Sequence, residues 1–313
     1  MTTPSATHAD LLPLPADDAV IVFRTERSGV HGRLVRLGAV AEKIIAMHGL
    51  PPAASAALGD AISLAALLGS ALTSEGNISV QTKTDGAISV LYADCQQPGK
   101  LRGYARFSES ALAALSDAGR KSGARLGHGH LAITIDKGQV EDRYQGIIAL
   151  DDVPLAVGAA AYFEQRENLP TFVRLASAQH YAGADAGLPS AMRWRAGGIM
   201  IQHVASIPVP DGDDPWARVR MLTATIEDHE LLDPTLTPER LLLRLFHEEG
   251  VVIERVVPLT TYCKCSREKV LNVLTTFGQA ELADMRDANG KIAVKCEFCA
   301  ANYAFELSDI GAH

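Results

Sequence analysis

Four of the chain's five cysteines stand in two close pairs, Cys263-Lys264-Cys265 and Cys296-Glu297-Phe298-Cys299, with thirty residues between the pairs. Thiolates are soft ligands, and four of them converging suit a tetrahedral Zn²⁺ ion with Zn–S near ~2.3 Å. Alternate residues of an extended segment share a face, so the first pair directs both sulfurs one way. A hairpin tip does the same for the second pair. Lys264, Arg267, Lys269 and Lys295 lie close in sequence to offset the surplus negative charge of such a site. Two roles fit it. A closed four-cysteine site can be a structural clip. It can also be a redox switch, because zinc keeps the thiols deprotonated while each has a neighbour two or three residues away. The opposing reading is four unrelated free thiols. The fifth cysteine, Cys95, ends an apolar run and reads as a small buried packing residue.

The elements that would position these residues fall into three parts. From Ala19 to about Ala205 short strands mix with helices: Ala19–Arg24 and Arg33–Leu37 are compact apolar runs, and Ala53–Leu72 repeats Leu58, Ile62, Ala65, Leu68 and Leu72 at helical spacing. Ile78, Val80 and Thr82 alternate up to Asp85-Gly86, and Ile88, Val90 and Tyr92 resume, which is a β-hairpin signature. A second hairpin is expected from Leu131–Ile135 through Asp136-Lys137-Gly138 to Tyr144–Leu150, then a helix over Pro154–Arg166 and a strand over Thr171–Ala176. Gly197-Gly198 is expected to permit close helix packing. Hairpins without regular βαβ alternation predict an α+β fold with a mainly antiparallel N-terminal sheet domain.

Ile207–Gly212 carries two prolines and a glycine and is read as the boundary. Two amphipathic helices follow, one bearing Trp216, Val219, Leu222 and Ile226, the other opening at Thr237-Pro238 and bearing Leu241, Leu242, Leu245 and Phe246. In the last section Ser266 caps a helix with Val270, Val273, Leu274 and Phe277, and Gly278 is expected to close it in the left-handed conformation. Asn289-Gly290 turns the chain into two alternating strands, with Cys296–Cys299 at their fold-back. The division is therefore 1–206 as an α+β core domain, 207–257 as a helical linker and 258–313 as a small zinc domain.

Composition removes several function classes. The net charge is −8, and residues 258–313 hold six Lys and Arg against seven Asp and Glu, so the zinc module presents no basic stripe for nucleic-acid phosphates. That weakens a zinc-ribbon nucleic-acid module. A thiol–disulfide oxidoreductase is the other rival, but its reactive CxxC belongs at a helix N-terminus rather than in a hairpin. There is no GxxxxGK[ST], GxSxG or HExxH, so neither ATP use nor hydrolase chemistry is expected. The first 18 residues contain no Lys or Arg, unlike a signal peptide, and Ala61–Leu72, the most apolar stretch, is shorter than the ~20 residues of a membrane span. Cytoplasmic residence without membrane association is the expectation. His128 and His130 alternate in a Gly-rich approach to a strand and read as turn or surface histidines.

Tyr262–Lys269 and Cys296–Phe305 closely resemble the zinc domain of the heat shock protein 33 family of redox-regulated bacterial chaperones. Gly127–Leu131, Tyr144–Gly146, Tyr162–Gln165 with Leu169–Thr171, Ala196–Gln202, Glu230–Leu232 and Leu243–Glu249 resemble its other signatures in order. Arg166, Asn168 and Val204-Ala205 depart from the family's commoner residues. The resemblance implies an ATP-independent holdase rather than an enzyme. Reduced, it would hold one Zn²⁺ on Cys263, Cys265, Cys296 and Cys299 and be inactive. Peroxide with heat, or hypochlorous acid, would form the disulfides Cys263–Cys265 and Cys296–Cys299, release zinc and unfold the linker. The active form would be a homodimer binding unfolding proteins.

Overall fold

The computed structural model describes residues 14–72, 75–121, 123–137, 143–183, 190–204 and 214–310. The expected boundary at Ile207–Gly212 and the turn residue Gly138 lie outside them. Strand β1 (Ala19–Thr25) is apolar at Ala19 through Phe23, and all five are buried. A strand with one wet face alternates, whereas an unbroken apolar run marks a strand covered on both faces. Val20 and Val22 enter one core while Ile21 and Phe23 enter a second.

The chain continues through β2 (Val30–Leu37), α1 (Ala39–Ala46), α2 (Pro52–Gly69), β3 (Asn77–Thr84), β4 (Ile88–Gln96), β5 (Lys100–Phe107), α3 (Glu109–Ala114), α4 (Asp117–Lys121), β6 (His128–Asp136), β7 (Arg143–Asp151), α5 (Leu155–Arg166), β8 (Thr171–Ala182) and β9 (Ala191–His203). Then come α6 (Pro215–Ala224), α7 (Asp228–Leu232), α8 (Pro238–Phe246), β10 (Val251–Pro258), β11 (Thr260–Thr261), α9 (Arg267–Leu274), α10 (Gln279–Asp284), β12 (Ile292–Lys295), β13 (Asn302–Phe305) and α11 (Leu307–Ile310). The first sheet has the order β10-β1-β2-β9-β8 and is antiparallel throughout. The second has the order β11-β5-β4-β3-β6-β7 and is antiparallel except where β11 runs parallel to β5. Both expected hairpins are present, as β3–β4 and β6–β7.

Helix α2 fills the space between the two sheets. It is 18 residues long and apolar enough by length and composition to cross a membrane, yet it is 78% buried among the protein's own strands. Its small residues allow that approach: a Cβ on Gly69 would stand 2.5 Å from the Cys95 sulfur, and one on Gly59 would stand 2.4 Å from Ser177 Oγ. The apolar segment thus begins earlier than the Ala61–Leu72 stretch singled out in the sequence, and it is a core helix.

On the opposite face of the first sheet lie α6, α7 and α8. Val219, Leu231, Leu241, Leu245 and Phe246 pack against Ile21, Phe23, Leu34, Ile199 and Ile201. Thr237 caps α8 by accepting from the Arg240 amide, as its sequence position implies. Two buried arginines fasten this layer to the sheet. Arg36 donates to the Asp233 and Leu236 carbonyls, and Arg195 donates to the Leu232 carbonyl and the Asp17 carboxylate. Charge-assisted bonds from both Nη atoms of Arg36 and from Arg195 fix the α7–α8 connection, while Arg36 Nε is buried without a partner. Glu249, 1% exposed, likewise accepts from Arg218 of α6 at 2.6 Å.

Gly197-Gly198 lies on β9 and does permit close helix packing: α7 and α2 cross it there, and a Cβ on Gly197 would stand 3.0 Å from the Leu231 carbonyl oxygen. Two expectations need correcting. Residues 251–257 of the segment read as helical linker form, with Pro258, a strand added to the edge of the first sheet beside β1. Gly278 is extended, with φ −70° and ψ 155°, and opens α10 rather than closing α9 in the left-handed region.

Candidate metal centre

The path into the cysteines explains their placement. β10 closes one edge of the first sheet, and two residues later β11 joins the edge of the second beside β5. Tyr262 follows, its hydroxyl donating to the buried Asp94 carboxylate at 2.6 Å and its amide to the Leu101 carbonyl at 3.1 Å. Cys263 and Cys265 come next, in extended chain that Ser266 ends by capping α9. Cys296 and Cys299 occupy the turn between β12 and β13. The Cys296 amide donates to Ala301 and the Ala300 amide donates back to Cys296, both at 2.9 Å. Ala300 takes a left-handed φ of 54°, costly for a residue with a Cβ, and this tightens the turn that brings both sulfurs to one side.

All four sulfurs meet. Cys263 Sγ lies 3.2 Å from Cys265 Sγ and 3.7 Å from Cys296 Sγ, and Cys265 Sγ lies 3.3 Å from Cys299 Sγ. All lie within 4.8 Å of one another. Sulfurs arranged ~2.3 Å from a central ion define a tetrahedron with edges of about 3.8 Å, so the cluster matches the donor set Zn²⁺ takes. None of these separations is the ~2.05 Å of a disulfide; the five cysteines are free thiols. The supporting core is small: Leu274, Leu282, Ile292, Phe305 and Ile310 are its buried apolar residues.

Tyr303, which the sequence reading placed on a returning strand without a role, donates its hydroxyl to Cys265 Sγ at 3.1 Å. That bond holds the Cys265 thiol down at about 7, whereas burial raises Cys263 and pushes Cys299 up to about 12. The β13 alternation that buries Phe305 turns Tyr303 to the same side, but only the tertiary fold brings Cys265 to meet it. Of the nearby cations, Arg267 is engaged elsewhere, with Asp309 at 2.9 Å and the Ala304 carbonyl at 2.7 Å. Lys269 donates to the Lys264 carbonyl at 3.0 Å.

The other singled-out residues lie apart from this cluster. His128 opens β6 rather than standing in a turn, and it is exposed, as a surface histidine, 2.8 Å from Asp151. Cys95 is 1% exposed against α2, and burial pushes its thiol up to about 12. It should therefore stay protonated and unreactive at pH 8. Iodoacetamide added to native protein after metal chelation should label Cys263, Cys265, Cys296 and Cys299 while leaving Cys95 unmodified by peptide mass; equal labelling of all five would contradict this.

Comparison with known proteins fits this geometry. A family model described as Hsp33 protein matches residues 18–306. A curated relative named 33 kDa chaperonin, from Caulobacter vibrioides, is 40% identical over 293 residues, covering 93% of this chain and 95% of its own. Its namesake from Pseudomonas aeruginosa is 32% identical over 294 residues, covering 92% and 91% respectively. The crystal structure of the 33 kDa chaperonin from Thermotoga maritima superposes with a TM-score of 0.73 at 22% identity, covering 94% of this chain and 96% of that one, so the two share a fold. With the family model spanning both sheets and the sulfur cluster, and with relatives this similar over nine-tenths of its length, the chain belongs to the Hsp33 family.

Proposed function

We propose that this protein is a redox-regulated, ATP-independent holdase that binds unfolding proteins stoichiometrically in the cytoplasm and catalyses no reaction. In the reduced state Cys263, Cys265, Cys296 and Cys299 would hold one Zn²⁺, whose chemistry is to keep four thiolates together and so keep a small module folded. Residues 1–206 form the core that carries the client surface, 207–257 the releasable linker and 258–313 the switch. The observation that carries this reading is the continuity of the strap. A single extended stretch, Val251–Thr261, closes an edge of each sheet and runs directly into the sulfur cluster, with the apolar layer of α6–α8 immediately before it.

Two hydrogen peroxide molecules take two electrons each from the Cys263–Cys265 and Cys296–Cys299 thiolate pairs. Four protons are consumed, two S–S bonds form and four waters leave, after which the oxidised sulfurs would no longer hold Zn²⁺. Tyr303 donates to Cys265 and steadies its thiolate. Without four anchored sulfurs the module's core of five buried residues is too small to stay folded, and the strap loses its fixed end. Release of α6–α8 then uncovers Ile21, Phe23, Leu34, Ile199 and Ile201 on the first sheet. An exposed apolar patch of that kind binds unfolded chains and a second copy of itself, giving a homodimer.

The test uses reduced, zinc-loaded protein and a chemically denatured client diluted into buffer. Light scattering should be unaffected by the reduced protein and suppressed after peroxide at elevated temperature, with release of one zinc per chain. Equal suppression before and after oxidation, or retained zinc, would overturn the reading.

A further inference from the structure

The two residues enclosed by Cys296 and Cys299 reach across to the second sheet. There the outward faces of β4 and β5 repeat with period two: Tyr92 and Asp94 stand opposite Tyr104 and Arg102, and Arg106 follows opposite Val90. Phe298 sits edge-on to both tyrosines, its centroid 5.5 Å from Tyr92 and 5.0 Å from Tyr104, with the Arg102 guanidinium 4.0 Å over its ring. Glu297 accepts from Nε and Nη2 of Arg106 at 3.0 and 2.7 Å. The receiving groups are held by their own network. Asp94, whose side chain is wholly buried, accepts from Arg102 at 2.7–3.1 Å and from the Tyr92 hydroxyl at 3.2 Å, while the two tyrosine rings stack at 5.7 Å. Tyr262 of the strap adds a further bond to Asp94 at 2.6 Å and lies under Arg102, so the cradle is built from the sheet's residues and Tyr262, and neither Glu297 nor Phe298 belongs to that network.

We propose that this face is a polypeptide-binding site for an acidic residue followed by an aromatic one. Glu297-Phe298 fills it in cis while the sulfur cluster is closed, and the same step in an unfolding client fills it once the hairpin leaves. The proposal rests on the holdase reading and names the client feature recognised. Its chemistry follows from the occupant: π faces and a guanidinium receive an aromatic edge and face, and an arginine fork receives the carboxylate. Phenylalanine is ordinarily buried in a folded protein, so a free acidic–aromatic step is presented mainly by chains that are unfolding.

The experiment measures fluorescence anisotropy of labelled Gly-Ser peptides carrying one Glu-Phe, Lys-Phe or Glu-Ala pair, titrated with full-length protein. Oxidised protein should bind Glu-Phe about tenfold more tightly than Glu-Ala and about threefold more tightly than Lys-Phe, and reduced zinc-loaded protein should bind none of them. Arg106 is an exposed side chain, so Arg106→Glu should fold, and it should reverse the order of Glu-Phe and Lys-Phe. A merely structural Arg106 would leave that order unchanged. Equal binding of all three peptides, or an unaltered preference in Arg106→Glu, overturns the site. If oxidised protein still suppresses aggregation in that case, the holdase reading stands and the docking site alone fails. A clear Glu-Phe preference without aggregation suppression supports the site and sinks the holdase.

Discussion

Exchanging both Cys263 and Cys265 for serine should yield a protein that retains no zinc and whose residues after Tyr262 are rapidly cut by protease, while both large sheets survive. The module's core is five buried residues, whereas a four-thiolate zinc site contributes on the order of 10 kcal/mol of folding free energy to a small domain. No rearrangement of five apolar side chains replaces that. The N-terminal part has the opposite balance, with α2 packed between two sheets in an extensive core of its own. Zinc content by atomic emission, protease mapping and far-UV circular dichroism together check this expectation. Unchanged zinc would sink the ligand assignment, and loss of the sheets along with the module would show that the sulfur cluster supports the whole fold.

Phe246→Ala should activate the protein without any oxidant. Phe246 is fully buried, its ring centroid 5.6 Å from Phe23, and it anchors α8 beside Leu241, Leu242 and Leu245. Truncating a buried phenylalanine costs about 3–5 kcal/mol, enough to tip a docked three-helix layer toward release. The sulfur cluster belongs to a different core, so the reduced variant should keep its zinc while suppressing client aggregation. A reduced variant that protease shows to be open at α8 but that leaves aggregation unchanged would separate linker release from client binding and contradict the account.

How far these features could be read from the chain alone depended on how local their causes are. The apolar run of β1, the Asp85-Gly86 hairpin, the Thr237 cap and the four-cysteine pattern rest on neighbours a few residues apart, and each is where its spacing puts it. β5 escaped detection because its inward positions include Gly103 and Ala105, small residues chosen by the close approach of α2; a Cβ on Gly103 would stand 3.0 Å from Ile62. β9 was hidden by Gly197-Gly198, which look like a break but serve crossings with chain far away in sequence. The Val251–Pro258 strand has ample β-branched residues, yet its partner β1 lies more than two hundred residues earlier. In the site, the ligands were legible and their surroundings were not. Tyr303 on Cys265, and the Tyr92–Arg102–Tyr104 cradle under Phe298, are contacts between segments that only the tertiary fold joins.

The central claim is that closing or opening the sulfur cluster governs whether the α6–α8 layer stays on the first sheet. Amide hydrogen exchange across Leu241–Phe246, followed by mass spectrometry in one sample before and after peroxide, tests it most directly. The account predicts strong protection in the reduced protein and its loss as the four thiols are consumed and zinc appears in solution. Protection of α8 that persists after Cys263, Cys265, Cys296 and Cys299 are all oxidised would contradict it.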